Sequence, residues 1–348
     1  MIRRNFIKNL ALASLIPFTS KYAFSQISTN GFTKPKALVA GDTIGVIAPG
    51  TAVSDPDEIE RAKEALNYFS LNMKLGEYVS KGTGYKTRTV EERLSDLHNM
   101  FLDDDVKAVF CIRGGYGSGQ LLDQIDYDLI KNHPKIFLGY SDITAMHLAI
   151  NKYSKLITFH GPVLLSAFSQ YTINYFQKAL FETNPIGEVT NPTNQNSFRT
   201  IHSLRTITSG KVKGGLIGGN LTLISTTLGT PYEIDTKDKI LLLEDVGEEP
   251  YRVDRMLTQL RLANKLQQAR GIVFGECAGC DFSGLKSSRD WDYTLGEVLD
   301  KILGNLGIPV FFGLTFGHTS DQITLPLGIE VEMDADKKVL NFTESGVV

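Results

Sequence analysis

Cysteine is nearly absent from this sequence, with three residues in a chain of 348. Cys111 stands in an apolar run and reads as a small buried hydrophobe. Cys277 and Cys280 form a C-x-x-C pair, two ligands short of a structural zinc site and with no histidine nearby. No helix of thioredoxin-like pattern follows that pair, so a redox motif is weakly supported. A disulfide and a pair of free thiols both remain open. A positive excess is also missing. The formal net charge is −3, and no basic block or aromatic-basic interleaving offsets it, which excludes a nucleic-acid-binding chain. Beyond the first 25 residues no apolar run reaches membrane-spanning length, so no span is expected. Tryptophan occurs once, at Trp291. Apolar and charged fractions are those of a globular protein, and the length suits one large domain or two ordinary ones.

The N-terminus reads as a leader rather than as part of the fold. Met1 to Lys8 carry twin arginines, Arg3 and Arg4. Leu10 to Phe18 form a short apolar core, and Ala23-Phe24-Ser25 place small residues where a signal peptidase needs them. The order Arg3-Arg4-Asn5-Phe6-Ile7-Lys8 resembles a twin-arginine export signal, the bland alternative being an amphipathic N-terminal helix. Residues 1–25 are therefore expected to be removed and the protein to be exported, into a periplasm. Loss of Arg3, Arg4, Lys8 and Lys21 takes the net charge from −3 to −7.

After the leader, strand-like and helix-like segments alternate. Asp42 to Gly50 gives a first strand ending in a Pro49-Gly50 turn. Ser54-Asp55-Pro56-Asp57 opens a helix, with proline at its first position and acidic residues at its positive end. Lys74 to Val79 is read as a second strand and Thr87 to Phe101 as a helix capped by Thr89. Asp105 to Ile112 is a third strand, followed by Arg113-Gly114-Gly115-Tyr116-Gly117 and a helix over 120–125. Ile136 to Leu138 is a fourth, followed by a helix from Asp142. This alternation predicts a parallel sheet covered on both faces, with ligands beyond the C-terminal strand ends. Residues 184–205, rich in Asn, Thr, Pro and Ser, read as a linker. It separates an N-terminal α/β domain (36–183) from a C-terminal domain (206–348). The latter carries the glycine-rich Gly214 to Asn220 run and the strand Lys239 to Asp245, which ends in two carboxylates.

Three turns at strand ends hold the reactive residue types. In Gly139-Tyr140-Ser141-Asp142, glycine lets the chain bend and Ser141 sits between strand and helix. Backbone N–H groups that follow are aimed at it. This follows the logic of a nucleophile elbow, although Ile143 stands where the motif has its second glycine. The bland alternative is that Ser141 only caps a helix. His318 follows an apolar strand at a glycine turn in a polar setting, and His160 is a rival base at another strand end. Glu244 ends its strand at a similar position, giving the nucleophile-acid-base order of many α/β hydrolases. The Arg113-Gly114-Gly115 turn could donate an N–H that completes an oxyanion hole with that of Asp142. It could also be a phosphate cradle, through Gly115-x-Gly117-x-Gly119.

Seven blocks together resemble the LD-carboxypeptidase family of serine peptidases, which includes the muramoyl-tetrapeptide carboxypeptidases. They are Ile47-Ala48-Pro49-Gly50, Arg113-Gly114-Gly115-Tyr116-Gly117, Gly139-Tyr140-Ser141-Asp142, His160-Gly161-Pro162, Gly218-Gly219-Asn220-Leu221, Leu243-Glu244-Asp245 and Phe316-Gly317-His318. The resemblance implies a flavodoxin-like parallel sheet in the N-terminal half and a smaller, swivelling α/β domain in the C-terminal half. It implies a homodimer, no cofactor and no metal. By matching motifs, Ser141 would be the nucleophile, Glu244 the acid and His318 the base. The N–H groups of Asp142 and of Gly114 or Gly115 would form the oxyanion hole. Arg113 and Tyr140 are the substrate-binding candidates, Arg113 because a guanidinium can hold a terminal carboxylate bidentately. The implied activity is cleavage of the L,D bond to a terminal D-amino acid in a peptidoglycan stem peptide. Two other functions fit the residues less fully. One is a family amidase that detoxifies a peptidyl-nucleotide antibiotic, with Trp291 as a stacking partner. The other is a periplasmic peptide-binding protein without catalysis. Export departs from the cytoplasmic setting of family members that recycle muropeptides.

Overall fold

The first reactive turn follows a strand with no polar face. The structure, a computed structural model, describes residues 27–82, 88–193, 202–281 and 293–348. The leader, residues 194–201 of the expected linker and Trp291 lie outside those residues. In the first unit β1 (Thr43–Ile47) leads through helix α1 (Pro56–Tyr68) to β2 (Asn72–Leu75). Helix α2 (Val90–Leu102) leads to β3 (Val106–Cys111), and α3 (Tyr127–Asn132) to β4 (Ile136–Gly139). Helix α4 (Thr144–Tyr153) leads to β5 (Thr158–His160), and α5 (Gln170–Leu180) follows. These five strands pair in parallel in the order β2-β1-β3-β4-β5. Every residue of β4 is buried, as a strand must be when helices cover both faces of its sheet. Ile136, Phe137 and Leu138 each contribute about 1.5–3 kcal/mol by leaving water.

Helix starts follow their capping chemistry. Asp55 accepts from the Asp57 N–H ahead of Pro56, and Thr89 and Glu92 close a reciprocal capping box on α2. Two local expectations shift. The helix expected over 120–125 is a single 3₁₀ turn, Ser118–Leu121, and the second strand ends at Leu75 rather than Val79.

The second unit is an eight-stranded sheet. Its strands are β6 (Gly187–Val189), β7 (Arg205–Thr208), β8 (Lys211–Asn220), β9 (Lys239–Val246), β10 (Gly271–Ala278) and β11 (Val310–Leu314), with β13 (Glu330–Asp334) and β14 (Val339–Phe342). Strands β8 to β11 run parallel at its centre, and antiparallel pairings add β7, β13, β14 and β6. Helices α6 (Leu221–Thr226), α7 (Pro250–Leu262), α8 (Lys265–Gln268) and α9 (Leu295–Leu303) complete this half.

The division of the chain at a linker needs correction at both ends. Residues 187–189 and 205, assigned to the linker, belong to strands of the second sheet. Strand β12 (Leu325–Leu327), well inside the C-terminal half, pairs antiparallel with β5 as the edge of the first sheet. One apolar cluster accordingly runs from Ile44 and Phe110 in the first sheet to Leu242 and Phe342 in the second.

Candidate active site

Ser141 stands at the C-terminal end of β4 with φ of +66°, a left-handed conformation that a non-glycine residue holds only when its surroundings fix it. Its turn is a 3₁₀ segment, Ser141–Ile143, that feeds α4. The side chain therefore leaves the sheet edge instead of capping the helix; the 3₁₀ segment has no side-chain cap. Gly114 packs against it so closely that a Cβ there would lie 3.2 Å from Ser141 Cβ and 3.5 Å from its Oγ.

His318 arrives from the other half of the molecule. After β11 the chain turns at Gly317, whose φ is +91°. A Cβ at Gly317 would lie 2.1 Å from Glu244 Oε2, so only glycine lets the turn sit on the carboxylate. His318 Nε2 lies 3.0 Å from Ser141 Oγ, and His318 Nδ1 lies 2.8 Å from Glu244 Oε2. Since a carboxylate can only accept, Nδ1 carries the proton and Nε2 is left to accept from the serine hydroxyl. Tyr140 sets its ring edge-on against His318, with centroids 4.9 Å apart.

Glu244 is fully buried at the end of β9. Burial pushes its carboxyl above the usual range, against the pull of the His318 hydrogen bond. For His318 burial acts downward, the Glu244 hydrogen bond and charge act upward, and the balance is a raised value. The neighbouring Asp245 points to the opposite face of the strand, as the period of two requires. There it accepts from Asn220 Nδ2 (3.1 Å), from the Thr222 N–H (2.9 Å) and hydroxyl (2.8 Å), and from its successor Val246 (2.9 Å). Asp245 is thus a turn and helix-start acceptor.

The three loops at the ends of β1, β3 and β4 meet at Ser141. A Cβ at Gly50 would strike Gly114 O at 2.7 Å and Asp142 Oδ2 at 2.8 Å; one at Gly115, φ +95°, would strike Thr51 Oγ1 at 2.2 Å. Asp142 is buried, and its carboxylate accepts from the N–H groups of Gly117 (3.3 Å) and Ser118 (2.8 Å). This overturns the phosphate-cradle reading. The amides of the Gly115-x-Gly117-x-Gly119 turn already hold an internal carboxylate, and only one 3₁₀ turn follows. Arg113 lies at the rim, with its Nη1 3.5 Å from Glu58 and its side chain 38% exposed.

His160 does not join the arrangement. It is fully buried behind Tyr140 and Phe316, and neither ring nitrogen has a hydrogen-bond partner among the described residues. Burial holds its pKa well below the usual imidazole range. Sequence reasoning missed Thr144, whose hydroxyl accepts from the Asn220 N–H at 3.0 Å and ties the helix that follows Ser141 to the glycine-rich strand β8. It also missed Arg88, just before the Thr89 cap, and Arg93 in α2, which look like surface charges but are buried.

A left-handed serine, an imidazole and a buried carboxylate in one hydrogen-bonded series is the arrangement that serine hydrolases use, here on a two-sheet α/β frame. Residues 44–161 match the profile of the LD-carboxypeptidase N-terminal domain and residues 213–333 that of its C-terminal domain. The chain belongs to the LD-carboxypeptidase family and is a carboxypeptidase hydrolase. It is 41% identical over 315 residues to the probable murein peptide carboxypeptidase of Bacillus subtilis (strain 168), covering 90% of this chain and 95% of that one. A muramoyltetrapeptide carboxypeptidase from Oxalobacter formigenes has a similar solved structure. Its TM-score is 0.74 at 30% identity, over 87% of this chain and 99% of that one. The microcin C7 self-immunity protein MccF, solved in complex with aspartyl sulfamoyl adenosine, aligns with a TM-score of 0.79 at 28% identity, over 90% and 99% of the two chains. Among the described residues no helix is long and apolar enough to cross a membrane.

Proposed function

We propose that this protein is an exported serine carboxypeptidase. In this reading it removes the terminal D-amino acid of a peptidoglycan stem peptide by cutting the bond from an L-configured centre. The observation that carries the chemistry is the hydrogen-bonded series Ser141–His318–Glu244, assembled from both halves of the chain. Ser141 Oγ attacks the scissile carbonyl carbon while its proton passes to His318 Nε2. Glu244, itself buried, holds the imidazolium that forms. The N–H groups of Asp142 and of Gly114 or Gly115 receive the oxyanion. Collapse breaks the C–N bond, and His318 returns its proton to the departing amine of the D-amino acid. Water, deprotonated by His318, then releases the acyl group. Arg113 at the rim receives the substrate's terminal carboxylate, exchanging Glu58 for it.

The likeness to MccF supports a second reading, an amidase acting on a peptidyl nucleotide. The 41% identity to the probable murein peptide carboxypeptidase of Bacillus subtilis favours the first. The test is to incubate the purified protein with a muropeptide tetrapeptide and, separately, with aspartyl sulfamoyl adenosine, and to identify products by mass spectrometry. Release of the terminal D-amino acid is expected. Turnover of the nucleotide conjugate alone would select the second reading. Ser141→Ala should lose a factor on the order of 10⁶ in kcat. A variant retaining a tenth of the wild-type rate would remove Ser141 from the nucleophile's role.

A further inference from the structure

Arg93 is a charged residue in a place where charge is costly. It lies in the first turn of α2 and is only 4% exposed. Its guanidinium joins loops that the chain brings together from far apart. Nη1 donates to Pro49 O at 2.8 Å, in the loop after β1, and to Gly117 O at 2.9 Å, in the loop after β3. Nη2 donates to Gln120 Oε1 at 2.8 Å, and Nε to Thr89 O at 3.4 Å. The space is fitted closely: a Cβ on Gly117 would stand 3.0 Å from Arg93 Nη1.

The Gly117–Ser118 peptide group is held from both ends. Its carbonyl accepts from Arg93, and its N–H donates to Asp142 Oδ2 at 2.8 Å. The Ser118 hydroxyl also donates to the Asp142 carbonyl. A cationic donor and an anionic acceptor on one peptide group polarise it in the same sense, and each strengthens the other's hydrogen bond in a buried setting. Asp142 immediately follows Ser141. The chain of contacts therefore runs from Arg93 through the loop after β3 to the residue beside the nucleophile. Gly114, in that same loop, is the backbone packed on Ser141.

We infer that Arg93 is a positioning residue for the reaction. It fixes the loops after β1 and β3 on Asp142, and so sets where the backbone N–H groups around Ser141 point. This rests on the reading of Ser141 as nucleophile. A lysine could not do the same, because one ammonium lacks the planar fork that reaches two carbonyls and an amide oxygen at once. Displacement of catalytic groups by about 1 Å costs about 10²-fold, and loss of one oxyanion donor about 10²–10³-fold.

The test uses full-length protein, a tetrapeptide substrate and a fluorophosphonate probe, whose reaction with a serine requires a formed oxyanion site. Arg93→Gln is expected to lower kcat about 100-fold with KM within threefold, and to slow probe labelling in parallel. Arg93→Lys is expected to be folded by circular dichroism and at least tenfold slower in both assays. A purely structural role would instead lower the melting temperature while leaving labelling per folded molecule unchanged. Wild-type labelling rates in folded Arg93→Lys or Arg93→Gln would overturn the inference. The Ser141→Ala control separates the two claims. Labelling that persists there would sink the nucleophile reading itself, whereas an unlabelled control beside a normally labelled Arg93 variant would sink the positioning role alone.

Discussion

In the proposed mechanism His318 takes a proton from Ser141 only while it is neutral, and Glu244 shifts when that is. The carboxylate raises the imidazole above its ordinary value of 6.5. The acid limb of kcat/KM should therefore lie above that value, with activity falling as pH drops through it and His318 becomes charged. Glu244→Gln removes the charge that favours the imidazolium. It should move the limb to lower pH while reducing kcat by a factor on the order of 10⁴. An unmoved limb in a pH series from 5 to 9 would show that Glu244 does not act on His318. Asp245→Asn should behave differently. It takes a negative acceptor from Asn220, Thr222 and Val246, so about 1–3 kcal/mol of stability should be lost, with a far smaller change in rate. A greater rate loss in Asp245→Asn than in Glu244→Gln would reverse the two roles.

At the scale of elements, turn backbones set the site. Gly317 is the sharpest case, because both its φ of +91° and the 2.1 Å approach to Glu244 exclude a side chain. Gly317→Ala should push the carboxylate from His318 and lower kcat at least 100-fold, by the same displacement argument. Kinetics within tenfold of wild type would mean the turn can shift without moving His318. The C-x-x-C element is settled by the structure as a disulfide between Cys277 and Cys280. It closes a loop of sequence separation 3, so the chain-entropy account gives it only about 2 kcal/mol. Reduction should lower the melting temperature modestly and leave turnover intact. Loss of activity on reduction would tie the bridge to Asp245, whose strand position pairs with Cys277.

For the whole molecule, the two sheets are not separable bodies. Strand β12 crosses back to edge the first sheet, and one apolar cluster spans both. Heating should give a single unfolding transition by calorimetry and circular dichroism together; two resolved transitions would contradict the shared core. The proposed export is also tested at this scale. Residues 1–30 fused to a reporter should carry it out of the cytoplasm, and replacing Arg3 and Arg4 by lysine should stop this. Secretion unchanged by that replacement would assign the leader to the general secretory route.

Much of this was present in local pattern. The apolar run of β4, Pro56 after Asp55, the Thr89 capping box and the glycine turns are decided by residues within a few positions of one another. Period and capping read such features directly. The blocks around Ser141, Glu244 and His318 could also be read as strand ends. Their meeting could not. His318 and Ser141 are 177 positions apart, and His318 and Glu244 are 74 apart. Strand order and register bring them to hydrogen-bond distance, and those are properties of packing, not of neighbours in the chain. The same packing chose between equals: it buried His160, turned Asp245 from the site and bridged Cys277 to Cys280. It also drew Arg93 inward from a helix that reads as solvated, because only the folded loops offer carbonyls enough to satisfy a buried guanidinium.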